Sequence, residues 1–364
     1  MIFQTDLREL ARFTAMKAPV LSLYLNTDLA QQQKDQVKLV VRDLSEQART
    51  AGAREEDVQQ LARYIDVGYD WRGRGLVAFS CQAEGLWETF SLPAPVRNAV
   101  FVGDQPYLMP LSNLLDQYAP YTVALVDQEG ARLFLVDMGG IVRQEEAIGE
   151  PIKRQKQGGW SAARFQRHED KIAERNMRAA VTALGRFCEA NSCSRLVLAG
   201  TDDNVARFQG FLPSELRRAV VATMPAEPGA RGPAIVQRSQ ELLRELEEQE
   251  ERDLVENLTT TALSGGPAVI GLADTLYALQ EGRVLTLVVE EGLSAPGFVC
   301  PSCDYLYIDE SQRCLFCGTM EARRVRNVVE RAMHKAYLQG ARVEVVVDSP
   351  SLARVGHIGA FLRY

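Results

Sequence analysis

Four cysteines near the carboxyl-terminal end of the chain have a spacing that is typical of a metal site. Cys300 and Cys303 enclose two residues, and Cys314 and Cys317 repeat that arrangement after an interval of ten residues. Two such pairs can supply four thiolates to one tetrahedral ion, and the alternative is a group of free thiols. Because four sulfurs leave no coordination position open, the pattern predicts a structural zinc ion and not a catalytic one.

A second segment combines cations, glycines and an aromatic residue. It is the stretch PIKRQKQGGWSAARFQRH, residues 151–168, which contains no carboxylate. Gly158 and Gly159 permit a tight turn or a close approach to another surface, and Trp160 offers a π-face for stacking. This composition suits a loop that reaches into a polyanion, while a solvated surface loop is an equally weighted alternative. The five cations of the segment are Lys153, Arg154, Lys156, Arg164 and Arg167.

Size and charge narrow the class of protein. A chain of 364 residues is too long for one compact core, so two or three domains are expected. Its net charge of −7 predicts local contact with a polyanion through the basic segment and not a general coat for nucleic acid. The sequence contains no apolar run of roughly 20 residues and no signal-peptide pattern, and its cysteine usage fits a reducing cytosol. A cytoplasmic location is therefore expected.

Four aspartates suggest a different chemistry. Asp127, Asp137, Asp202 and Asp203 lie at or near the ends of predicted strands, where a nuclease with an RNase-H-like fold would place Mg²⁺ ligands. Aspartate at a strand end more often makes a turn or caps a helix, and no pair has diagnostic spacing. The turn-and-cap interpretation is therefore preferred.

The remaining reactive side chains form no recognisable catalytic motif. Cys81, Cys188 and Cys193 are expected to be core or helix-end thiols. His334 is expected on a helix surface or as a satisfied core residue, and His168 is placed to contact phosphate at the end of the basic segment. The sequence contains no Walker A loop and no dinucleotide fingerprint.

Hydrophobic periodicity predicts three segments that position these residues. Residues 1–118 form a mixed α+β domain, residues 119–261 an α/β domain that contains the basic segment, and residues 262–364 a third α/β unit. The cysteines lie in an insertion, residues 298–319, of that last unit. Long helices are predicted over residues 235–258, 268–282 and 321–340.

Several stretches resemble the archaeal and eukaryotic class I peptide-chain release factors. They are KRQKQGGWSAARFQRHEDK, RLVLAGTDDN, GLADTLYAL and the ending GHIGAFLRY, and the similarity covers essentially the whole chain. The resemblance implies a tRNA-mimicking architecture of three domains. The first would be of the decoding-centre type. The second would be an RNase-H-like middle domain that carries a Gly-Gly-Gln loop to the peptidyl-transferase centre. The third would resemble kink-turn-binding ribosomal proteins, with a four-cysteine zinc-ribbon insertion.

Two departures from this family bear on activity. Gly158 and Gly159 match its two glycines, but Trp160 stands where its catalytic Gln would be. The stop-codon motif Asn-Ile-Lys-Ser is also absent, so stop-codon reading is not expected. Hydrolysis stays open, because that Gln is thought to act largely through a backbone N–H, which Trp160 retains. The Trp160 ring could equally stack in the pocket of a terminal adenosine. The residues that match after the glycines are Ser161, Arg164, Phe165 and Arg167.

The resemblance to bacterial relatives that lack both motifs implies a codon-independent factor that occupies the ribosomal A site in hibernation or rescue. The alternatives are a peptidyl-tRNA hydrolase acting on stalled ribosomes and the Mg²⁺-dependent nuclease. The expected partners are ribosomal RNA, P-site tRNA and a translational GTPase of the elongation-factor type, with the chain itself a monomer. Catalytic candidates are Gly158, Gly159, Trp160 and Ser161. The expected rRNA- and tRNA-binding residues are Lys153, Arg154, Lys156, Gln157, Trp160, Arg164, Arg167 and His168.

Overall fold

A computed structural model describes residues 4–152, 162–309 and 313–364. It is a mixed α/β structure with two compact units, one formed by Met1–Gln117 together with Glu248–Tyr364 and the other by Tyr118–Glu247. No helix in the described part of the chain is long and apolar enough to cross a membrane.

The amino-terminal part contains one antiparallel sheet and four α-helices. The strand order is β3-β2-β1-β4, and every neighbouring pair is antiparallel. Leu21, Leu23 and Leu25 alternate along the first strand and face two helices whose apolar residues recur at helical spacing. The elements are α1 (Gln4–Arg12), β1 (Val20–Asn26), α2 (Lys34–Thr50), α3 (Glu55–Arg63) with a π-helical turn (Tyr64–Gly68), β2 (Gly75–Cys81), a 3₁₀ turn (Gln82–Glu84), β3 (Leu86–Leu92), β4 (Ala99–Gly103) and α4 (Met109–Gln117).

The unit Tyr118–Glu247 contains a five-stranded mixed sheet. Its strands are β5 (Tyr121–Val126), β6 (Gly130–Asp137), β7 (Gly140–Ile148), β8 (Leu196–Gly200) and β9 (Val220–Pro225). The order is β7-β6-β5-β8-β9, in which each neighbouring pair among the first three strands is antiparallel and each among the last three is parallel. Its helices are α5 (Ala162–Ala190), α6 (Asp202–Phe211), α7 (Ser214–Ala219) and the first half of α8 (Gly232–Leu263).

Strand β5 explains why this sheet is covered on both faces. Ala124 and Val126 belong to the apolar cluster that contains Met177 and Leu184 of α5. The alternate residues of the strand, Tyr121, Val123 and Leu125, belong to a second cluster with Ile235 and Leu243 of α8. Because successive strand side chains point to opposite faces, one short apolar run contributes to two cores.

The carboxyl-terminal part contains a four-stranded sheet and a separate three-stranded sheet. The orders are β10-β16-β11-β15 and β13-β12-β14. The elements are β10 (Ala268–Ile270), α9 (Leu272–Gln280), β11 (Val284–Glu290), β12 (Gly297–Val299), β13 (Leu306–Tyr307), β14 (Arg323–Val325), α10 (Val328–Leu338), β15 (Arg342–Val346), α11 (Pro350–Ala353) and β16 (Ile358–Leu362).

Two helices predicted in this part are shorter than expected. Residues Ala268–Ile270 form a strand paired with β16. Gly271 follows with φ +84°, which breaks the extended run, and the helix begins only at Leu272. Residues Arg323–Val325 likewise pair with β12. The following helix starts after Asn327, whose side chain accepts hydrogen bonds from the backbone N–H groups of Val329 and Glu330.

Helix α10 connects the carboxyl-terminal part to the amino-terminal part through buried polar side chains. His334 is 1 % exposed, and its ring nitrogens lie 3.1 Å from the Ala11 carbonyl oxygen and 2.8 Å from that of Pro106. Oε1 of Glu330 accepts the backbone N–H of Leu108 at 2.6 Å. His334 is thus a satisfied core residue, one of the two alternatives expected from the sequence.

Candidate functional site

The four cysteine sulfurs converge as their spacing predicts. All four lie within 4.8 Å of one another. Sγ of Cys300 is 3.4 Å from Sγ of Cys317, and Sγ of Cys303 is 3.4 Å from Sγ of Cys314. A tetrahedral ion with metal–sulfur bonds of about 2.3 Å needs sulfurs about 3.8 Å apart, a spacing that lies between the two shortest separations and the upper limit of the cluster. The cluster could therefore hold one metal ion.

The two Cys-x-x-Cys turns have equivalent backbone hydrogen bonds. The N–H of Asp304 donates to the Cys300 carbonyl at 2.9 Å, and the N–H of Gly318 donates to the Cys314 carbonyl at 2.8 Å. The residue directly after each pair is left-handed, with φ +56° at Asp304 and +74° at Gly318. Each turn thus reverses the chain after its second cysteine and directs both sulfurs to one point.

The surroundings of the cysteines are a small aromatic cluster. Tyr307 stacks on Phe298 and on Tyr305, with ring centroids 5.8 and 5.6 Å apart. Lys335 of α10 donates to the Asp304 carbonyl oxygen at 2.7 Å, and burial lowers the pKa of Lys335. This aromatic cluster is small and buries little apolar surface. A bound ion would therefore contribute much of the stability of the segment.

The tip of the basic segment lies outside the described residues. This applies to Lys153, Arg154, Lys156, Gln157, Gly158, Gly159, Trp160 and Ser161. Arg164 belongs to α5, but its side chain is also outside the described part. Arg167 and His168 are exposed in the first turns of α5. The structure therefore describes the two ends of the segment.

The entry to the basic segment is fixed by Asn176, a residue of α5 that is 4 % exposed. Its Oδ1 accepts the backbone N–H of Glu150 at 3.1 Å, and its Nδ2 donates to the carbonyl oxygens of Glu150 at 2.9 Å and Gln128 at 3.3 Å. A Cβ at Gly149 would lie 2.1 Å from Oδ1, so only glycine allows this approach. One amide side chain thus joins the start of the segment to α5 and to the β5–β6 turn.

Glu129 in the β5–β6 turn provides a second anchor for the same strand end. Its carbonyl oxygen accepts the N–H of Gly149 at 2.7 Å, and its Oε1 accepts the N–H of Ile152 at 3.0 Å. Arg175 of α5 forms an ion pair with Glu150 nearby. We call residues 149–152 with Glu129 and Asn176 the loop stem. The sequence assigned no role to Glu129 or Asn176, so the stem was not predicted.

The four aspartates do not form one site. Strand β6 is antiparallel to β5, with Val126 opposite Ala131 and Tyr121 opposite Val136, so Asp127 and Asp137 lie at opposite edges of the sheet. Oδ1 of Asp127 accepts the backbone N–H groups of Glu129 and Gly130 at 2.7 and 2.9 Å, which is a turn role. Asp202 and Asp203 are exposed in the first turn of α6.

The other cysteines match their expected roles. Cys81 is fully buried in β2, and Cys188 is buried in the last turn of α5. A hydrogen bond between the thiols of Cys188 and Cys193 lowers the pKa of Cys193 to about 7 and raises that of Cys188. Among the described residues, the cysteines at 300, 303, 314 and 317 are the one group of three or more metal-binding side chains that converges.

A cavity of about 1160 Å³, which the sequence did not indicate, lies in the unit that contains both chain ends. Its walls come from the amino-terminal sheet, the segment before α4 and the residues around the start of α10. Its only sequence signal is Glu330 and Arg331, which interrupt the apolar residues of a predicted helix.

Comparison with known proteins supports the resemblance seen in the sequence. Residues 106–251 match the model of the family described as bacterial archaeo-eukaryotic release factor family 10. Peptide chain release factor subunit 1 of Methanocaldococcus jannaschii is 29 % identical over 250 residues, which is 64 % of this chain and 59 % of that protein. The uncharacterized protein Rv2629 of Mycobacterium tuberculosis is 25 % identical over 337 residues, 89 % of this chain and 87 % of that one.

Solved structures of the same group also align with this chain. The crystal structure of the archaeal translation termination factor aRF1 is 16 % identical with a TM-score of 0.25, over 100 % of this chain and 99 % of that one. Dom34 of S. cerevisiae is 11 % identical with a TM-score of 0.42, over 81 % and 82 %.

The resemblance predicted from the sequence is confirmed: residues 106–251 match the model of a bacterial archaeo-eukaryotic release factor family, and the chain is similar to archaeal peptide chain release factors. Its matched family segment, residues 106–251, includes the whole basic segment and its stem. The chain spans about three fifths of the length of the M. jannaschii release factor.

The stem predicts that Asn176 controls the start of the basic segment. Asn176→Ala removes three part-buried hydrogen bonds to the backbone of Glu150 and Gln128, so it should destabilise this unit by about 1–3 kcal/mol. It should also increase protease cleavage within residues 149–161. Thr182→Ala is the control, because the exposed Thr182 hydroxyl on the same helix donates to the Arg178 carbonyl oxygen one helical turn earlier and not to the stem. Equal cleavage of the two variants would contradict the assignment.

Proposed function

We propose that this chain is a cytoplasmic, monomeric ribosome-binding translation factor that occupies the A site independently of the codon. Its basic Gly-Gly-Trp segment would lie against ribosomal RNA near the peptidyl-transferase centre, in ribosome hibernation or rescue. The observation that carries the proposal is the match of residues 106–251 to a release-factor-like family, since that range includes the cation-rich segment 151–168. Cations next to a Gly-Gly-aromatic tip suit phosphate contact and base stacking.

The proposal assigns a role to each predicted domain. Residues 1–118 would sit in the decoding centre without reading a codon, residues 119–261 would form an RNase-H-like carrier for the segment, and residues 262–364 would form the kink-turn-binding ribosomal-protein-like domain. The strand order β7-β6-β5-β8-β9, with an antiparallel meander followed by parallel strands, supports an RNase-H-like middle domain. A translational GTPase and P-site tRNA are the partners that belong to this proposal.

The alternative is a peptidyl-tRNA hydrolase that releases nascent peptide from stalled ribosomes. Gly158 and Gly159 favour it, and Trp160 disfavours it, because the indole lacks the side-chain amide of the family's Gln. The nuclease is the weaker alternative, since Asp137 lies at the opposite sheet edge from Asp127. Mg²⁺-dependent RNA cleavage that is lost in Asp127→Asn would be required to favour it.

The first test measures co-sedimentation of the purified protein with ribosomes. Reversing three charges with Lys153→Glu, Arg154→Glu and Lys156→Glu should weaken binding by at least about tenfold and reduce its salt dependence, because several phosphate contacts are lost.

A matched charge reversal of Arg186→Glu, Arg207→Glu and Arg218→Glu is the control for that test. These three arginines are exposed in the same unit but lie outside the basic segment, so binding should change little. Loss of binding in both triple variants, or in neither, would refute a specific role for the segment.

A second test separates silencing from hydrolysis. Ribosomes with peptidyl-tRNA in the P site and an empty A site are mixed with the protein, and released peptide is measured. We expect binding without release, because Trp160 replaces the amide side chain. Release by the wild type that is abolished in Gly159→Ala would instead establish the hydrolase.

We further propose that the ion at the four cysteines is zinc, because a four-thiolate tetrahedral site without an open position is the arrangement typical of structural zinc. Metal analysis should give about one zinc per chain. Cys303→Ser should lose the metal and unfold the insertion, while Cys193→Ser, outside the cluster, should retain it. A metal-free protein with the insertion fully folded would disprove this assignment.

A further inference from the structure

The cavity of about 1160 Å³ has a floor of buried charged groups with unused hydrogen-bonding atoms. Glu330 is 6 % exposed, and while its Oε1 accepts the Leu108 N–H, its Oε2 has no hydrogen-bond partner among the described residues. Arg331 is 7 % exposed and forms an ion pair with Asp104, but its Nε has no partner there either. Both residues line the cavity.

Such groups are costly for a fold to retain. A buried charged group with an unsatisfied donor or acceptor has lost its hydration without a compensating hydrogen bond. The two groups are adjacent in sequence and complementary in kind, one accepting and one donating. Oε2 of Glu330 and Nε of Arg331 are themselves buried, so a ligand reaches them only when the soft last torsion of the glutamate turns and the floor adjusts around it. The floor is therefore suited to a ligand that presents a donor next to an acceptor.

The rim of the same cavity has more cations than carboxylates, although Asp104, Glu291 and Asp348 also line it. Arg97, Arg323 and Arg324 line it, are exposed, and form no ion pair with any described residue. The guanidinium group binds phosphate with planar, bidentate geometry. In a protein with a net charge of −7, three such arginines beside one cavity favour an anion at its mouth.

The wall between floor and rim includes an aromatic pair. The rings of Phe101 and Tyr107 stack with centroids 3.8 Å apart, and both residues line the cavity. Their partly exposed surfaces can accept a flat ring by stacking, as aromatic side chains do for nucleic-acid bases.

We propose that this cavity binds a guanine nucleotide. Guanine places N–H donors, which suit the Glu330 carboxylate, next to its O6 and N7 acceptors, which suit Arg331. Its phosphate group meets the arginines of the rim, and its ring lies against the aromatic pair. A simple anion would satisfy the rim alone and would meet repulsion from Glu330. The nucleotide is either free or the terminal residue of an RNA, since both present the same chemistry.

The test uses the full-length protein and measures thermal stability and calorimetric binding. GMP, GDP and GTP should raise the melting temperature and bind at least about tenfold more tightly than AMP, CMP or inorganic phosphate. A short RNA ending in guanosine identifies the source: binding tighter than GMP assigns an RNA end, and weaker binding assigns a free nucleotide.

Two variants and one control examine the contacts. Glu330→Gln keeps an acceptor for the Leu108 N–H but places an amide donor opposite the guanine donors, so it should abolish the preference for guanine over adenine. Arg324→Ala, at an exposed position that cannot disturb the core, should weaken all phosphorylated guanine ligands by about tenfold. Arg354→Ala, exposed in the same unit but away from the cavity, should change nothing.

The proposal fails if guanine nucleotides and guanosine-ended RNA leave the melting temperature unchanged. It fails equally if AMP, CMP and phosphate give the same shift as GMP, since the site would then be a simple anion site. Should Glu330→Gln prove unfolded, Arg324→Ala still decides, because an unchanged guanine affinity in that variant also overturns the proposal. These outcomes are independent of ribosome binding through residues 151–168.

Discussion

The buried polar face of helix α10 is the constraint on which the unit containing both chain ends depends. A helix that buries Glu330, Arg331 and His334 would be destabilising against an apolar partner, because each group would lose its hydration without compensation. The backbone around Ala11, Pro106 and Leu108 supplies carbonyl oxygens and an N–H at hydrogen-bonding distance. The amino-terminal and carboxyl-terminal parts of this unit therefore fit each other specifically, because a purely hydrophobic surface could replace neither of them.

The same constraint creates the cavity beside the helix. Arg331 and Glu330 each use one polar atom to join the parts and leave another without a partner. The same helix also contacts the cysteine turns, because Lys335 donates to the Asp304 carbonyl oxygen next to Cys303. One eleven-residue helix thus contacts the cysteine turns, the floor of the cavity and the amino-terminal part of the chain.

The sequence predicted features that depend on local spacing and left out those that depend on pairing across the chain. The cysteine turns follow from two short repeats, and β5 from its apolar run, so both were predictable. Ala268–Ile270 is an apolar run too short to distinguish a strand from the start of a helix, and its pairing with β16, some 90 residues later, makes it a strand. The separation of Asp127 from Asp137 follows from the antiparallel pairing of β5 and β6, which their short connecting turn could have indicated. Asn176 resembled any polar residue on an exposed helix face until its partners at residues 128 and 150 were known.

The loop stem has a consequence for how the basic segment could reach a target. Nine residues, 153–161, separate Ile152 from the start of α5 at Ala162. A chain of that length, held at both ends, extends at most about 15–18 Å from its base, half of its contour of roughly 3.5 Å per residue. Any distant target must therefore come within that radius through docking of the unit that holds the stem, so contacts far from the glycines decide where the segment is delivered.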